Sequence, residues 1–208
     1  MVNYLKMRFL HVFEYLRLNG IRKILSELFF FRREAILVEK NLKDVEDFAV
    51  FVKEGDIEFF ELTPELLNSQ TYEFAFKNRK LKATHYQNKG FAGHGIAIGR
   101  QIIGDVWYCP GDLKYDGKMH RDIKLLGMKW SNGCVYSFDI FMAPSGRGGN
   151  LSAALQRYSM VSLRDKGHSK AVAYYWADNY PAIWNTRVLN KWDVVGKSHI
   201  SRILGLWF

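Results

Sequence analysis

The stretch DIFMAPSGRGGNLSAALQRY, residues 139–158, decides the fold. Apolar residues run up to Pro144, a segment of small residues holding only Arg147 as a charge follows, and Leu151, Ala154, Leu155 and Tyr158 then recur at helical spacing. The pattern predicts a strand that turns tightly into a helix. The start of a helix leaves backbone N–H groups without partners and carries a partial positive charge, so it is a natural seat for phosphate. Gly146, Gly148, Gly149 and Ser152 leave that backbone bare, and Asn150 tolerates unusual dihedrals or caps the helix. Arg147 adds a charge-assisted partner for a phosphate oxygen. A glycine-rich turn with no ligand has the same composition, and spacing alone does not separate the two readings. The lysine and Ser/Thr of an ATP-type phosphate loop are missing, as is GxGxxG, which disfavours nucleotide hydrolysis and a Rossmann dinucleotide site.

The whole chain bounds the answer further. Its 208 residues are 48% hydrophobic and 25% charged with 4 prolines, as expected of one globular domain, alone or with an appendage. No apolar run approaches the ~20 residues that cross a bilayer, and the first residues lack a signal peptide's apolar core and cleavage site. Cys109 and Cys134 form no CxxC pair, so neither a disulfide framework nor a metal site is expected, and a cytoplasmic location is the simplest reading. The net charge of +9 favours an anionic partner: a phosphorylated cofactor, an acidic carrier protein, a membrane surface or nucleic acid. The basic residues are scattered and no nucleic-acid motif can be picked out, so nucleic acid is the least favoured of these.

Residues 3–18 and roughly 21–31 read as two basic amphipathic helices, with Asn19-Gly20 stopping the first. They are expected to pack as a helical cap on the domain or a second subunit, with peripheral membrane contact through residues 1–31 as the sharper alternative. This gives residues 1–34 as an extension and 35–208 as the main domain. Residues 35–40 read as a strand, 43–54 and 64–80 as mostly helical, and 91–98 and 102–109 as a hairpin joined at Gly99-Arg100. Strand 134–142, the bare turn, a helix ending at Lys166-Gly167, strand "KAVAYYWA", a helix with Pro181 in its first turn and two last short strands complete the order. The class is mixed α/β.

"FMAPSGRGGNLSAAL" resembles the acyl-CoA-binding motif of the GNAT superfamily of N-acyltransferases. Met142 falls on the apolar strand end, Pro144 on the proline, and Arg147-Gly148 on the Arg-Gly of the motif; Asn150 and Ser152 stand where the family prefers glycine and Gly/Ala. The later stretch "KAVAYYWADNYPAIWNTRVLNKWDVVG" is similar to the family's next strand and Asn-x-x-Ala helix, with Asn179, Pro181 and Ala182 on the pattern. The resemblance covers roughly 35–205. It implies a central, twisted, mixed but mostly antiparallel sheet with helices on both faces, here preceded by the amphipathic helices.

The resemblance also implies chemistry. Acetyl-CoA or another acyl-CoA is the implied co-substrate, with no metal, held by Phe141, Met142 and Ala143 along the strand, by Arg147, Gly148, Gly149, Asn150, Leu151 and Ser152 at the turn, and by Asn179. A small-molecule or peptide amine attacks the thioester, most simply to be acetylated, once a base has removed its proton. Where the family often places an acidic tyrosine this chain has Thr186, a much poorer acid; Tyr175 and Tyr180 are nearby alternatives. Asp139, expected to share a strand face with Ser137, and His94, between two glycines, are the candidate bases, each weighed against a structural role. Two other readings stand beside this one: a long-chain N-acyltransferase fed by acyl carrier protein, and a non-catalytic binding or membrane-associated domain of the same fold. The acceptor is expected to meet segments 55–90 and 110–130, and a homodimer through the last strands or the N-terminal helices is open.

Overall fold

The computed structural model describes residues 30–46, 56–114, 119–129, 131–203 and 206–207. The amphipathic helix expected over 3–18, and most of the one expected over 21–31, lie outside these residues. The first strand, β1 (Phe30–Asn41), begins five residues earlier than expected.

β2 (Ile57–Glu61) is a strand that the sequence reading did not assign; it pairs antiparallel with β4. The helical stretch expected over 64–80 is two helices, α1 (Pro64–Asn68) and α2 (Lys77–Gln87), with the short β3 (Glu73–Phe74) between them. Thr63 caps α1 by accepting the Leu66 amide, and Pro64 sits at its first turn, where a missing N–H costs nothing. The hairpin is present as β4 (Ala92–Ile98) and β5 (Gln101–Pro110), turning at Gly99 with φ 55°. The connection after β5 holds a short helix, α3 (Arg121–Leu125). β6 (Cys134–Met142) leads through the bare turn into α4 (Leu151–Asp165), which ends where expected, at Gly167 with φ 90°. β7 (Lys170–Trp176), α5 (Tyr180–Ile183) continued by a wide turn over Trp184–Leu189, β8 (Asp193–Ile203) and β9 (Leu206–Trp207) follow.

The strands form one sheet in the order β2-β4-β5-β6-β7-β1-β8-β9, with β3 parallel to the end of β5. Along that order every pair is antiparallel except β6 with β7. Period-two alternation divides the core into two layers. On one face Leu155, Met160 and Leu163 of α4 pack with Ile96, Ile103, Val106 and Val135. On the other, Ala83 of α2 packs with Ala97, Trp107, Cys109, Tyr136 and Phe138. Each large side chain so buried contributes about 1.5–3 kcal/mol.

Candidate functional site: a gap between two parallel strands

β6 and β7 pair only at Cys134–Lys170, Val135–Ala171 and Tyr136–Val172. Beyond Tyr136 the strands part, and residues 137–142 and 173–176 have no pairing with each other. A bulge in β6 helps to drive the separation. Trp107 pairs with Phe138 and Asp105 with Phe141, so Asp139 and Ile140 together oppose Val106. Asp139 takes the left-handed conformation, φ 49°. The expected alternation therefore fails here: Ser137 lies on the α4 side near Tyr108, whereas Asp139 turns to the α2 side and meets Tyr86 and Arg79.

On the α4 side the gap opens into a groove of about 700 Å³ running from Ile140, Phe141 and Met142 to the turn. Gly148, Gly149 and Asn150 all have positive φ, at 97°, 54° and 61°, which curls the chain so that its amides face outward. The amides of Gly148, Gly149, Asn150, Ser152 and Ala153 have no backbone acceptor among the described residues. A side chain added at Gly148 or Gly149 would meet only open space, so nothing covers this backbone. Asn150 makes no side-chain cap; its part is the left-handed bend. Arg147 is exposed and its Nε donates to the Met142 carbonyl oxygen at 3.4 Å. Leu151 and Ser152 line the groove, and Ser152 Oγ accepts from Asn185 Nδ2 at 3.1 Å. Asn179 lines its far wall and caps α5 by accepting the Ala182 amide. Ala143 is the exception among the expected donor-binding residues. It is 1% exposed, its amide is spent on the Ile103 carbonyl at 2.7 Å, and it does not line the groove.

On the α2 side the same gap opens into a second pocket, of about 740 Å³. Its walls come from α2, from residues 119–122, from Phe138 and Asp139 of β6 and from Tyr174 and Trp176 of β7. The segments 55–90 and 110–130, which carry no readable motif, thus meet across the open side of the sheet.

Solved structures share this fold. The GCN5-related glucosamine N-acetyltransferase region of a fungal multi-domain GH3 β-N-acetylglucosaminidase gives a TM-score of 0.57 at 14% identity, over 86% of this chain and 22% of that one. A GCN5-related N-acetyltransferase from Sphaerobacter thermophilus gives 0.55 at 9% identity, over 90% and 57%. One from Kribbella flavida gives 0.50 at 13%, over 88% and 63%. The fold is that of the GNAT superfamily. The chain spans less than two thirds of each of these structures, and the identities make the likeness one of fold. No family model and no curated protein matches the sequence.

Within the GNAT frame the three expected catalytic residues scatter. Asp139 reaches the second pocket but is already engaged. Arg79 Nη1 bonds both its oxygens at 3.0 and 3.1 Å, Lys82 Nζ lies at 3.2 Å and Tyr86 Oη at 2.8 Å. Burial pushes its carboxyl up, but these partners outweigh burial and hold it below the ordinary value, which makes it a weak base. His94 does not reach the gap at all. It is 0% exposed and packs on the α4 side, with Nε2 3.1 Å from Ser162 Oγ. Thr186 is 7% exposed and lines neither pocket, so it is not placed to protonate a departing thiolate. Tyr175 is 8% exposed in the core and Tyr180 is 77% exposed to solvent. Both cysteines are buried and free, and burial pushes the Cys109 thiol up to about 11. Among the described residues no group of His, Cys, Asp and Glu is arranged to hold a metal.

The gap instead presents residues the sequence did not mark. Asp122 Oδ2 accepts from Tyr136 Oη on β6 and Tyr174 Oη on β7, both at 3.3 Å, and so sits astride the strands where they part. His120 caps α3, its Nδ1 accepting from the Asp122 amide at 3.4 Å and lying 3.8 Å from that same oxygen, and its ring lies tilted 4.4 Å from that of Phe138. Burial, opposed by the Asp122 carboxylate and aided by Arg121 and Lys89, lowers its pKa below the ordinary histidine value, so it is neutral near pH 7. Both residues fall at the start of α3, in a stretch the sequence left unassigned, and only their spatial partners give them meaning.

Proposed function

We propose that this chain transfers an acyl group, acetyl in the simplest case, from acyl-CoA to a primary amine by direct attack of the amine on the thioester. The observation that carries this reading is the gap. It leaves the β7-facing edge of β6 unpaired from Ser137 onward and leads it toward the bare amides of the α4 turn. When bound, acyl-CoA would supply the activated thioester. The turn amides and Arg147 would hold its diphosphate, and the edge of β6 around Phe141 and Met142 would align its extended arm. Across the gap the second pocket would admit the amine. His120, which lines that pocket, would take up the ammonium proton once Nδ1 gives up the Asp122 amide, and positioning would supply much of the acceleration.

The test is direct: titrate the full chain with acetyl-CoA and free CoA by calorimetry, and follow acetylation of an amine mixture by mass spectrometry. Micromolar binding with an acylated product supports the reading. Indifference to acetyl-CoA, long-chain acyl-CoA and acyl carrier protein alike overturns it in favour of a non-catalytic domain.

A donor carried on acyl carrier protein is the second reading, favoured by a specific surface. Tyr180, Trp184 and Val188 are 77%, 57% and 48% exposed beside the donor groove, and the chain carries a net charge of +9. An acidic carrier fits such a face. Binding of the carrier but not of free acyl-CoA would select this reading.

A further inference from the structure

The pocket on the α2 side carries charges of both signs. At the gap lies Asp122, whose Oδ2 is tied to one tyrosine on each parting strand and whose Oδ1 lies 3.5 Å from Nε of the exposed Arg121, with the rings of Phe138 and Trp176 in the same wall. A carboxylate among aromatic faces attracts an ammonium. At the α2 wall, Lys82, His85 and Tyr86 fall at i, i+3 and i+4 on one helical stripe, and Lys89 follows in the turn just past the end of α2. Lys82 already serves Asp139. Lys89 Nζ lies 5.9 Å from the Phe91 ring and has no carboxylate partner among the described residues. A lysine exposed at the edge of a cavity, with no carboxylate beside it, fits an anionic ligand.

We infer that the acceptor is a primary amine bearing an anionic group, a carboxylate or a phosphate, its ammonium end at Asp122 between the strands and its anionic end at Lys89. This rests on the acyltransferase reading for what happens to the amine, but the binding claim stands on the pocket alone. An amine oriented by both ends would present its nitrogen to the gap, where the donor groove begins on the other side of the sheet. A neutral amine of the same length would be held at one end only.

The experiment uses matched pairs: β-alanine against β-alaninamide, and O-phosphoethanolamine against ethanolamine. Binding to the full chain is measured by calorimetry without any donor, and acetyl-CoA is titrated separately. The anionic member of at least one pair should bind about tenfold tighter than its neutral counterpart, the scale of one charge-assisted bond. Which pair shows the larger preference distinguishes carboxylate from phosphate. Lys89→Gln should erase the preference and Lys89→Arg keep it, while Asp122→Asn should weaken both members of a pair alike. Equal binding within both pairs, no binding of any of the four amines, or an unchanged preference in Lys89→Gln overturns the inference. Selective amine binding with no donor binding keeps the inference and sinks the proposed reaction instead.

Discussion

Arg79 grips Asp139 from beneath the bulge, with Nη1 bonded to both carboxylate oxygens and Nη2 3.4 Å from the Asp139 carbonyl. The same guanidinium holds Asp105 through Nε at 3.0 Å and Nη2 at 2.5 Å, and stands 4.8 Å from the Phe141 ring. Arg79 is 3% exposed and Asp105 1%. Burial raises the Asp105 carboxyl against the pull of the guanidinium, and the two carboxylates raise Arg79 despite its own burial. The cluster ties β5 and β6 to α2 at the very residue where β6 turns away from β7. Arg79→Met should therefore cost about 3–5 kcal/mol, because it strands two buried carboxylates rather than merely removing a pair. Urea denaturation at pH 7 checks this. A loss below about 1 kcal/mol would show that the cluster does not hold the bulge.

Arg147 and Gly148 test the donor groove separately. Arg147→Glu places a like charge beside the diphosphate and should weaken acetyl-CoA binding by about 1.5–3 kcal/mol with little change in stability, since the side chain is exposed. Gly148→Val acts through the backbone. At φ 97° a β-branched residue is strained although its side chain has room, so stability should fall by about 1–2 kcal/mol and donor affinity with it as the amides rearrange. Calorimetric donor affinity, read beside a denaturation curve, separates the two effects. Unchanged affinity in Arg147→Glu counts against a diphosphate at this turn.

The turn, the hairpin and the order of elements after residue 90 were legible in the sequence because each rests on local chemistry. Glycines mark the left-handed bends, and alternating or helical spacing marks the faces. Asp139 shows where such reading stops. Period-two alternation puts it beside Ser137, and a bulge that depends on a partner 60 residues away, Arg79, turns it to the other face. β2 was missed because IEFFE has little alternation: Phe59 packs toward Tyr158 of α4 and Phe60 stacks on Tyr72, contacts that only the fold supplies. Asp122 and His120 were invisible because a carboxylate in the first turn of a short helix acquires its place only when two tyrosines from different strands converge on it.

Thr186 stands at the position where the resemblance expects an acid, yet it is buried under the wide turn and its carbonyl accepts from the Trp192 amide at 3.0 Å. Thr186→Ala should leave turnover within about twofold of the parent and change stability by no more than about 1 kcal/mol, the scale of one ordinary hydrogen-bonding group. Steady-state kinetics with a saturating donor decides it. A tenfold fall in kcat with the fold intact would return Thr186 to the proton path.

His94 carries a pH signature of its own. Ser162 Oγ donates to Glu61 Oε1 at 2.7 Å, so at Ser162 Oγ the His94 Nε2 contact is one in which the imidazole donates, and Nδ1 is left bare. Nδ1 is buried with no hydrogen-bond partner, so a second proton would arrive where nothing accepts it. Burial chiefly, with Lys166 adding to it and Glu61 opposing, lowers the pKa to about 4. The unfolded chain takes up that proton near pH 6.5 and the folded one only near 4, so below pH 6.5 the unfolded state binds more protons at this site. The stability contributed by neutral His94 is whole above pH 6.5 and drains away as the pH falls toward 4, at about 1.4 kcal/mol per pH unit and up to about 3 kcal/mol in total. His120 and His168, also lowered by burial, act in the same direction, so the measurement must be a difference. Denaturation midpoints of the parent and His94→Gln at pH 7.5, 6 and 5 should converge as the pH drops, because only the parent loses the contribution. Parallel curves would mean that His94 titrates normally and that Nδ1 finds an acceptor after all.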